Sequence, residues 1–404
     1  MGAKTRNRAC PAAGREITAF ECGSGRHTTY ACPEECPFNP FSVANYDDFR
    51  RIEWAAEKKL FEWMLATVPD RAQFNQGLER VIGRGPNPRY FHYMAWHSVF
   101  QLGPDGDSCV GKWAKAGFPG LSADERVFLR GRNQIRPAMI EVHRVLDGKR
   151  VEAVDLLDAE RRPILIVDHS LAMQAIRFGV CGVYLVPLPN YMRMFGTCTW
   201  LPDLFPLEPE GFIREVIGHL GGSTDEAGMR GFLTQHFQRV EEALTAATLA
   251  RREAIFEQLD AQYGKAASRT EDPPYDKTLV PPALLKDLPK LVFTASQVPV
   301  STEPASPGTR AADFERQRDR EFLDAPIPAL EGKTPRQAAA DPAFREPLRR
   351  LMKSRISATD QRNLETGRND DVNWLVRELG LTEILFDPPP LRPRLGPGSE
   401  RLGA

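Results

Sequence analysis

The sequence lacks any apolar run long enough to cross a membrane. Its longest uncharged stretches, residues 90–104 and 178–192, hold 15 residues each, against the ~20 that a spanning helix needs. The second is also interrupted by Pro187 and Pro189. No apolar core follows the basic residues of segment 1–10, so a secretory signal is not expected, and the cytosol is the expected compartment. Net charge is nearly absent: 53 Lys and Arg stand against 54 Asp and Glu, a balance of -1. No whole-chain field therefore draws the protein to nucleic acid or to an anionic membrane. Also missing are a Walker A loop, a Gly-x-Gly-x-x-Gly turn, a His-Glu-x-x-His helix and a Gly-x-Ser-x-Gly elbow. Asp168-His169-Ser170 has the residue types of a triad, but neighbours on a strand face opposite ways and cannot form one among themselves. His92 and His97 read as packed or surface histidines rather than ligands. The expectation is a protein without catalysis.

What is present is a 404-residue chain with 42% hydrophobic content, enough for two or three domains at ~150 residues each. Prolines are frequent, 34 in all, and crowd between Pro273 and Pro307. The expected class is α+β. Residues 1–44 form a short segment rich in Cys, Pro and Gly, too small for a core of its own. Residues 45–265 form a central domain. It opens with an amphipathic helix to about Thr67, capped by Asn45, with Phe49, Ile52, Ala56, Leu60, Trp63 and Met64 at helical spacing.

In this central domain β-rich runs follow at 139–146, 149–156, 164–167, 180–186 and 191–199. The first two flank Asp147-Gly148, a pair that favours a two-residue hairpin turn. Five such runs predict a small antiparallel sheet or barrel. Ser223 and Glu226 have capping-box spacing ahead of a long helical stripe to about Gln262, one helix or two stacked ones. Residues 266–311 read as an extended Pro-rich connector, with Leu284, Leu285, Leu288, Leu291 and Phe293 available to dock on a neighbour. A helical unit at 312–387 and a disordered Pro/Gly/Arg tail at 388–404 complete the chain.

Seven cysteines are present, four of them in the first 36 residues: Cys10, Cys22, Cys32 and Cys36. In a reducing compartment such a cluster points to a metal rather than to disulfides. Four thiolates close a tetrahedral shell around Zn²⁺ with no open position, which makes the metal structural. The Gly23-Ser24-Gly25 turn would let backbone amides approach the Cys22 sulfur. His27 is an alternative to one thiolate, and four unligated thiols are the plain alternative to a site. Cys109, Cys181 and Cys198 read as small core hydrophobes.

The string Cys22-Gly-Ser-Gly, followed by Tyr30 and Cys32, resembles the SEC-C zinc motif found at the C-terminus of the SecA translocation ATPase and in other bacterial proteins. The likeness covers roughly residues 8–40. It departs from the usual Cys-x-Cys start and adjacent final pair, because Cys10 stands twelve residues upstream and the last pair is Cys32-x3-Cys36.

A second resemblance begins at Asp324. Leu330-Glu-Gly332-Lys333-Thr334-Pro335-Arg336 is similar to the turn that precedes a helix in the toxin-binding domain of Xre/MbcA/ParS antitoxins. By its own chemistry Thr334 is an N-cap, Pro335 sits at the first helical position and Gln337 completes a capping box. Helices presenting Phe344, Leu348, Leu351 and Met352, then Val372, Leu375, Val376 and Leu379, should follow, with Pro347 implying a kink or a later start and Gly380 a stop. The resemblance implies a protein partner, toxin-like, contacted through Leu330, Lys333, Thr334 and Arg336. The competing reading is that Leu330, Phe344, Leu351 and Leu375 only pack on one another.

The leading expectation is a zinc-binding, non-enzymatic protein-interaction protein, adaptor or antitoxin-like. A nucleic-acid or ribosome-associated zinc protein is the alternative, motivated by Lys4, Arg6, Arg8, Arg15 and Arg26 and weakened by Glu16, Glu21, Glu34 and Glu35.

Overall fold

A computed structural model describes residues 7–68, 70–82, 88–201, 204–205, 207–263, 273–285 and 309–392. Among them the chain is α+β, with thirteen α-helices, a two-stranded antiparallel sheet and a five-stranded sheet. It divides into two compact units. One comprises Met1–Ala138, Ile164–His169 and Gly182–Cys198; the other comprises Met139–Pro163, Ser170–Cys181 and Thr199–Ala404.

The five expected β-rich runs are strands: β3 (Arg136–Val145), β4 (Arg150–Asp155), β5 (Pro163–Val167), β6 (Val180–Pro187) and β7 (Met192–Leu201), counted after the N-terminal pair β1 (Asn7–Cys10) and β2 (Arg15–Thr18). They close into a barrel in the order β3-β4-β5-β7-β6. The sheet is mixed rather than antiparallel throughout. β3 and β4 are antiparallel, but β5 and β7 run parallel with Ile166 opposite Met192, because the chain between them carries a helix and β6 and so supplies the long crossover that parallel strands require. β6 is buried almost end to end, which explains its unbroken Val-Cys-Gly-Val-Tyr-Leu-Val run in place of alternation.

The β3–β4 turn differs from the Asp147-Gly148 expectation. The Leu146 amide donates to the Arg150 carbonyl at 2.9 Å, leaving a three-residue loop. The Asp147 carboxylate accepts from the amides of Lys149 and Arg150, both at 2.8 Å. Side-chain capping replaces the left-handed backbone of a two-residue turn, and Gly148 is not at positive φ.

In the first unit, α1 (Ala19–Gly25) is followed by α2 (Tyr46–Thr67), α3 (Arg71–Val81), α4 (Pro88–Ala95), a π-helical turn at Trp96–Phe100, α5 (Cys109–Lys115) and α6 (Ala123–Arg132). α2 begins where expected and buries Phe49, Ala56, Leu60 and Met64 on one face. These pack with Phe74, Trp113, Phe128 and Tyr191 in one core, and Trp63 stacks on Trp113 with centroids 5.1 Å apart. Asn45 does not cap α2. Its side-chain amide instead donates to the Asn39 carbonyl at 2.8 Å and to Ser42 at 3.1 Å, tying the loop before the helix. Gly131 has no substitute, since a Cβ there would lie 2.1 Å from the Pro187 carbonyl oxygen.

The second unit holds α7 (His169–Gln174, split from its first residue), α8 (Pro209–His219), α9 (Glu226–Tyr263), α10 (Thr309–Asp324), α11 (Pro335–Ala339), α12 (Arg345–Thr366) and α13 (Asn373–Glu378). His169 and Ser170 thus open a helix rather than lie on a strand. α9 is interrupted at His236 (φ -133°, ψ 24°), so the expected stripe is two helical segments end to end. Its cap is Asp225, whose carboxylate accepts from Gly228 N at 2.9 Å, not Ser223, because the helix starts at Glu226.

In the Pro-rich stretch, residues 277–279 and 282–285 form short 3-10 turns rather than an extended chain. Leu284 is buried, Leu285 is exposed, and the Leu284 carbonyl accepts from Arg251 at 2.8 Å. Leu288, Leu291 and Phe293 lie outside the described residues, as do tail residues 393–404. Within the tail, Arg392 and Asn369 exchange hydrogen bonds through backbone and side chain at 2.7 and 3.3 Å.

Candidate metal centre

Cys10, Cys22, Cys32 and Cys36 are all free thiols and all line one small cavity of about 10 Å³, together with Arg8, Arg26, Tyr30 and Phe38. Local structure brings them there. β1 and β2 pair with Cys10 opposite Arg15, and the turn between them closes through the Gly14 amide on the Cys10 carbonyl at 2.9 Å. Thr18 then caps α1, its hydroxyl accepting from Glu21 N at 3.1 Å, and α1 carries Cys22 inward. The helix ends at Gly25, whose carbonyl accepts from the amides of Thr28, Thr29 and Tyr30. A Cβ on Gly25 would sit 2.7 Å from the Tyr30 ring, so only glycine lets that ring close over the cavity. The Cys36 amide donates to the Pro33 carbonyl at 3.2 Å, a turn that brings Cys36 back beside Cys32.

Two polar groups face the sulfurs. Arg26 is buried and holds Asp124 on α6 through Nη1 at 2.6 Å, while its Nη2 stands 3.9 Å from Cys22 Sγ. Burial pushes the Cys32 thiol up, and the His27 backbone amide, donating to its sulfur, pulls the other way. The amide that reaches a sulfur is therefore His27's at Cys32, not one from Gly23-Ser24-Gly25 at Cys22, because those residues belong to the last turn of α1. His27 does not line the cavity. Its Nε2 pairs with Asn39 Oδ1 at 2.9 Å, its ring packs edge-on against Phe41, and burial holds its pKa below the usual value. Among the described residues, no group of three or more His, Cys, Asp or Glu side chains is placed so that it holds a metal ion. Four thiols free of disulfides nonetheless line one small space, and thiolates are donors that Zn²⁺ takes.

The described basic residues of this module are engaged, Arg26 with Asp124 on α6 and the others within the module. Arg8 lies over the Phe38 ring at 4.4 Å, Arg15 pairs with Glu21, and Glu21 also accepts from the Tyr30 hydroxyl at 2.7 Å. Lys4 and Arg6 lie outside the described residues.

The turn at 330–336 has the chemistry expected of it. Thr334 and Gln337 form a reciprocal capping box, with bonds of 3.0 and 3.2 Å, and Pro335 occupies the first helical position. Leu330 is fully buried, in a core with Leu348, Met352, Ile356, Leu375 and Val376, so it offers no surface to a partner. Lys333 lies over the Phe344 ring at 4.2 Å and pairs with Asp341. Arg336 joins Asp324 at 3.1 Å and Glu378 at 2.5 Å while its side chain is 48% exposed. α12 starts at Arg345, which places Pro347 in the first turn, where its missing amide hydrogen has no partner to lose. Gly380, at φ +66°, ends α13 as expected.

Of the other singled-out residues, His92 is buried against the Tyr184 hydroxyl at 3.0 Å, and His97 packs on Phe74 and Tyr93. Asp168 is buried and paired with Arg193. The part-buried Arg26–Asp124 pair, 98 residues apart, and the buried pair Arg177–Asp360 have no signal in the sequence, since separations of that size carry no spacing pattern. Compared with protein-family models, with curated proteins and with solved structures, the chain finds no match.

Proposed function

We propose that the chain is a zinc-binding, non-enzymatic protein-interaction protein of the cytosol, in which Cys10, Cys22, Cys32 and Cys36 hold one structural Zn²⁺ and the C-terminal helical unit docks a protein partner. One observation carries the reading: four free thiols drawn from a strand end, a helix and a turn line one small cavity. Four thiolates around a divalent cation leave excess negative charge. A buried guanidinium beside Cys22 offsets it, and the His27 amide at Cys32 orients a ligand. Elemental analysis of protein prepared without chelator should find about one zinc per chain, and Cys22→Ser should release it. Metal-free protein would end the reading.

The docking part rests on the antitoxin-like turn. Its backbone is already fixed by the Thr334–Gln337 box, so it loses little entropy on binding. With Leu330 internal, Lys333, Thr334 and Arg336 are the members of the turn left at the surface, and a toxin-like partner would bring acidic groups of its own against the two cations. Capture with the full chain as bait should yield a stoichiometric protein that is lost on Arg336→Glu. If the captured set is the same for both baits, the unit is structural.

A further inference from the structure

The second unit contains a cavity of about 890 Å³ between α10, α12 and the segment 369–374. Five arginines line it: Arg316, Arg318 and Arg320 from α10, and Arg355 and Arg362 from α12. Its three carboxylates are already committed. Asp319 pairs with Arg355, Asp370 with Arg368 at 2.9 Å, and Asp371 accepts from the Asn373 amide at 2.8 Å. Arg355 is committed as well, its guanidinium stacked over Phe322 at 4.1 Å. Among the described residues Arg316, Arg318 and Arg320 have no carboxylate partner, and Arg318 is half-buried. Arg316 and Arg320 lie one turn apart on the same face of α10, and an anion in the cavity would relieve their mutual repulsion. The remaining walls include the rings of Phe205 and Trp374, that of Phe322 being covered by Arg355.

We infer that this cavity binds a small ring-bearing phosphate ester of the nucleotide kind, with the phosphate on the α10 arginines and the ring against the aromatic wall. Guanidinium forks match phosphate oxygens bidentately, and aromatic side chains offer stacking to a planar base. The volume lies within the range of small-ligand sites, which favours a small molecule over a flat macromolecular surface. The inference stands apart from the zinc and docking readings, since it uses none of their residues.

The test titrates the full chain with ATP, AMP, adenosine and inorganic phosphate, read by calorimetry and by the fluorescence of Trp374 on the cavity wall. ATP and AMP should bind saturably, one per chain, with adenosine and inorganic phosphate each at least about tenfold weaker. Added salt should weaken the nucleotides. Arg318→Glu should weaken ATP at least about tenfold. Arg320→Glu, at an exposed position that tolerates charge reversal, should do the same and decides the matter if the first variant does not fold. Absence of saturable ATP binding into the millimolar range, or unchanged binding in both folded variants, overturns the inference. Equal affinity for inorganic phosphate removes the ring from it. Binding of single-stranded RNA that ATP cannot displace would assign the arginines to a polymer instead, and would equally overturn it.

Discussion

Residues 7–45 and residues 316–385 each fold a short stretch of chain, and they have very different means of doing so. The large apolar side chains that the N-terminal module buries are few, Ile17 and Phe41 beside Cys22, Cys32 and Cys36. The C-terminal unit buries Phe322, Leu323, Leu330, Leu348, Met352, Ile356, Leu375 and Leu381 in one cluster. Where apolar area is that scarce, hydrophobic burial at ~25 cal/mol per Å² contributes little against the entropy of ordering the chain, and the proposed zinc would supply the difference. Where it is plentiful, turns and caps need only select one packing. The two regions should therefore fail under different insults.

If the proposed zinc is bound, the largest effect should come from removing it. Zinc contributes on the order of 10–16 kcal/mol of binding free energy in finger peptides, nearly all of it as folding energy. Chelation should abolish hydrogen-exchange protection across 7–45 and leave α12 protected. Loss of protection in both regions at once would mean the comparison is false and that one cooperative structure holds them.

Asp360 breaks the other side of the comparison. Its carboxylate takes Arg177 Nε and Nη2, both at 2.8 Å, and the Arg177 amide at 3.0 Å. Both side chains are about 1% exposed, and Arg177 also donates to Asn373 at 2.7 Å. Removing one member strands a buried charge, so Asp360→Ala should cost roughly 3–5 kcal/mol in denaturant unfolding while zinc content stays at its wild-type value. A cost near zero would show that water reaches Arg177.

Acid should weaken both regions, and Glu141 separates the contributions. Burial opposes its ionisation, but the hydrogen bond from His143 and the charge of Lys353, with contacts of 3.1 and 2.9 Å, outweigh it and hold the carboxyl below the usual range. A depressed folded value stabilises fully above the unfolded pKa, near ~4.3, and is lost as pH falls through the folded value. Glu141→Gln should cost about 1–3 kcal/mol at neutral pH and flatten the acid limb of stability. An unchanged limb would place the acid response elsewhere.

The strands were readable because apolar runs bounded by Pro and Gly survive any packing, and α2 because its 3.6-residue stripe faces a core. Caps were readable only where one candidate stood alone. Thr334 had no rival, whereas Ser223 and Asp225 both suit the position ahead of α9, and the true start at Glu226 chose the second. The Asp147 turn was misread because an Asp side chain can close a loop that its Asp-Gly dipeptide suggests closing through backbone. The cysteines could be grouped by count, but not the amide or the guanidinium that face them, since Asp124 anchors Arg26 from far along the chain. The arginines around the α10–α12 cavity give no pattern at all in a chain whose charges nearly cancel.

The smallest expected effect sharpens what a cap does in a region that already has a core. Thr334 accepts from Gln337 N at 3.2 Å, and Gln337 returns the favour to the Thr334 amide at 3.0 Å. Both bonds are exposed, so their loss hands the amides to water rather than burying them unpaired. Thr334→Ala should therefore cost about 1 kcal/mol, against the several expected at Asp360, and Thr334→Ser should restore most of it because the hydroxyl is what accepts. Urea unfolding of the three proteins measures this directly. If alanine and serine are equally damaging, the methyl group and not the hydroxyl holds the turn. If alanine costs as much as Asp360→Ala, the C-terminal unit depends on its turns as heavily as the N-terminal module depends on its sulfurs, and the contrast between the two regions disappears.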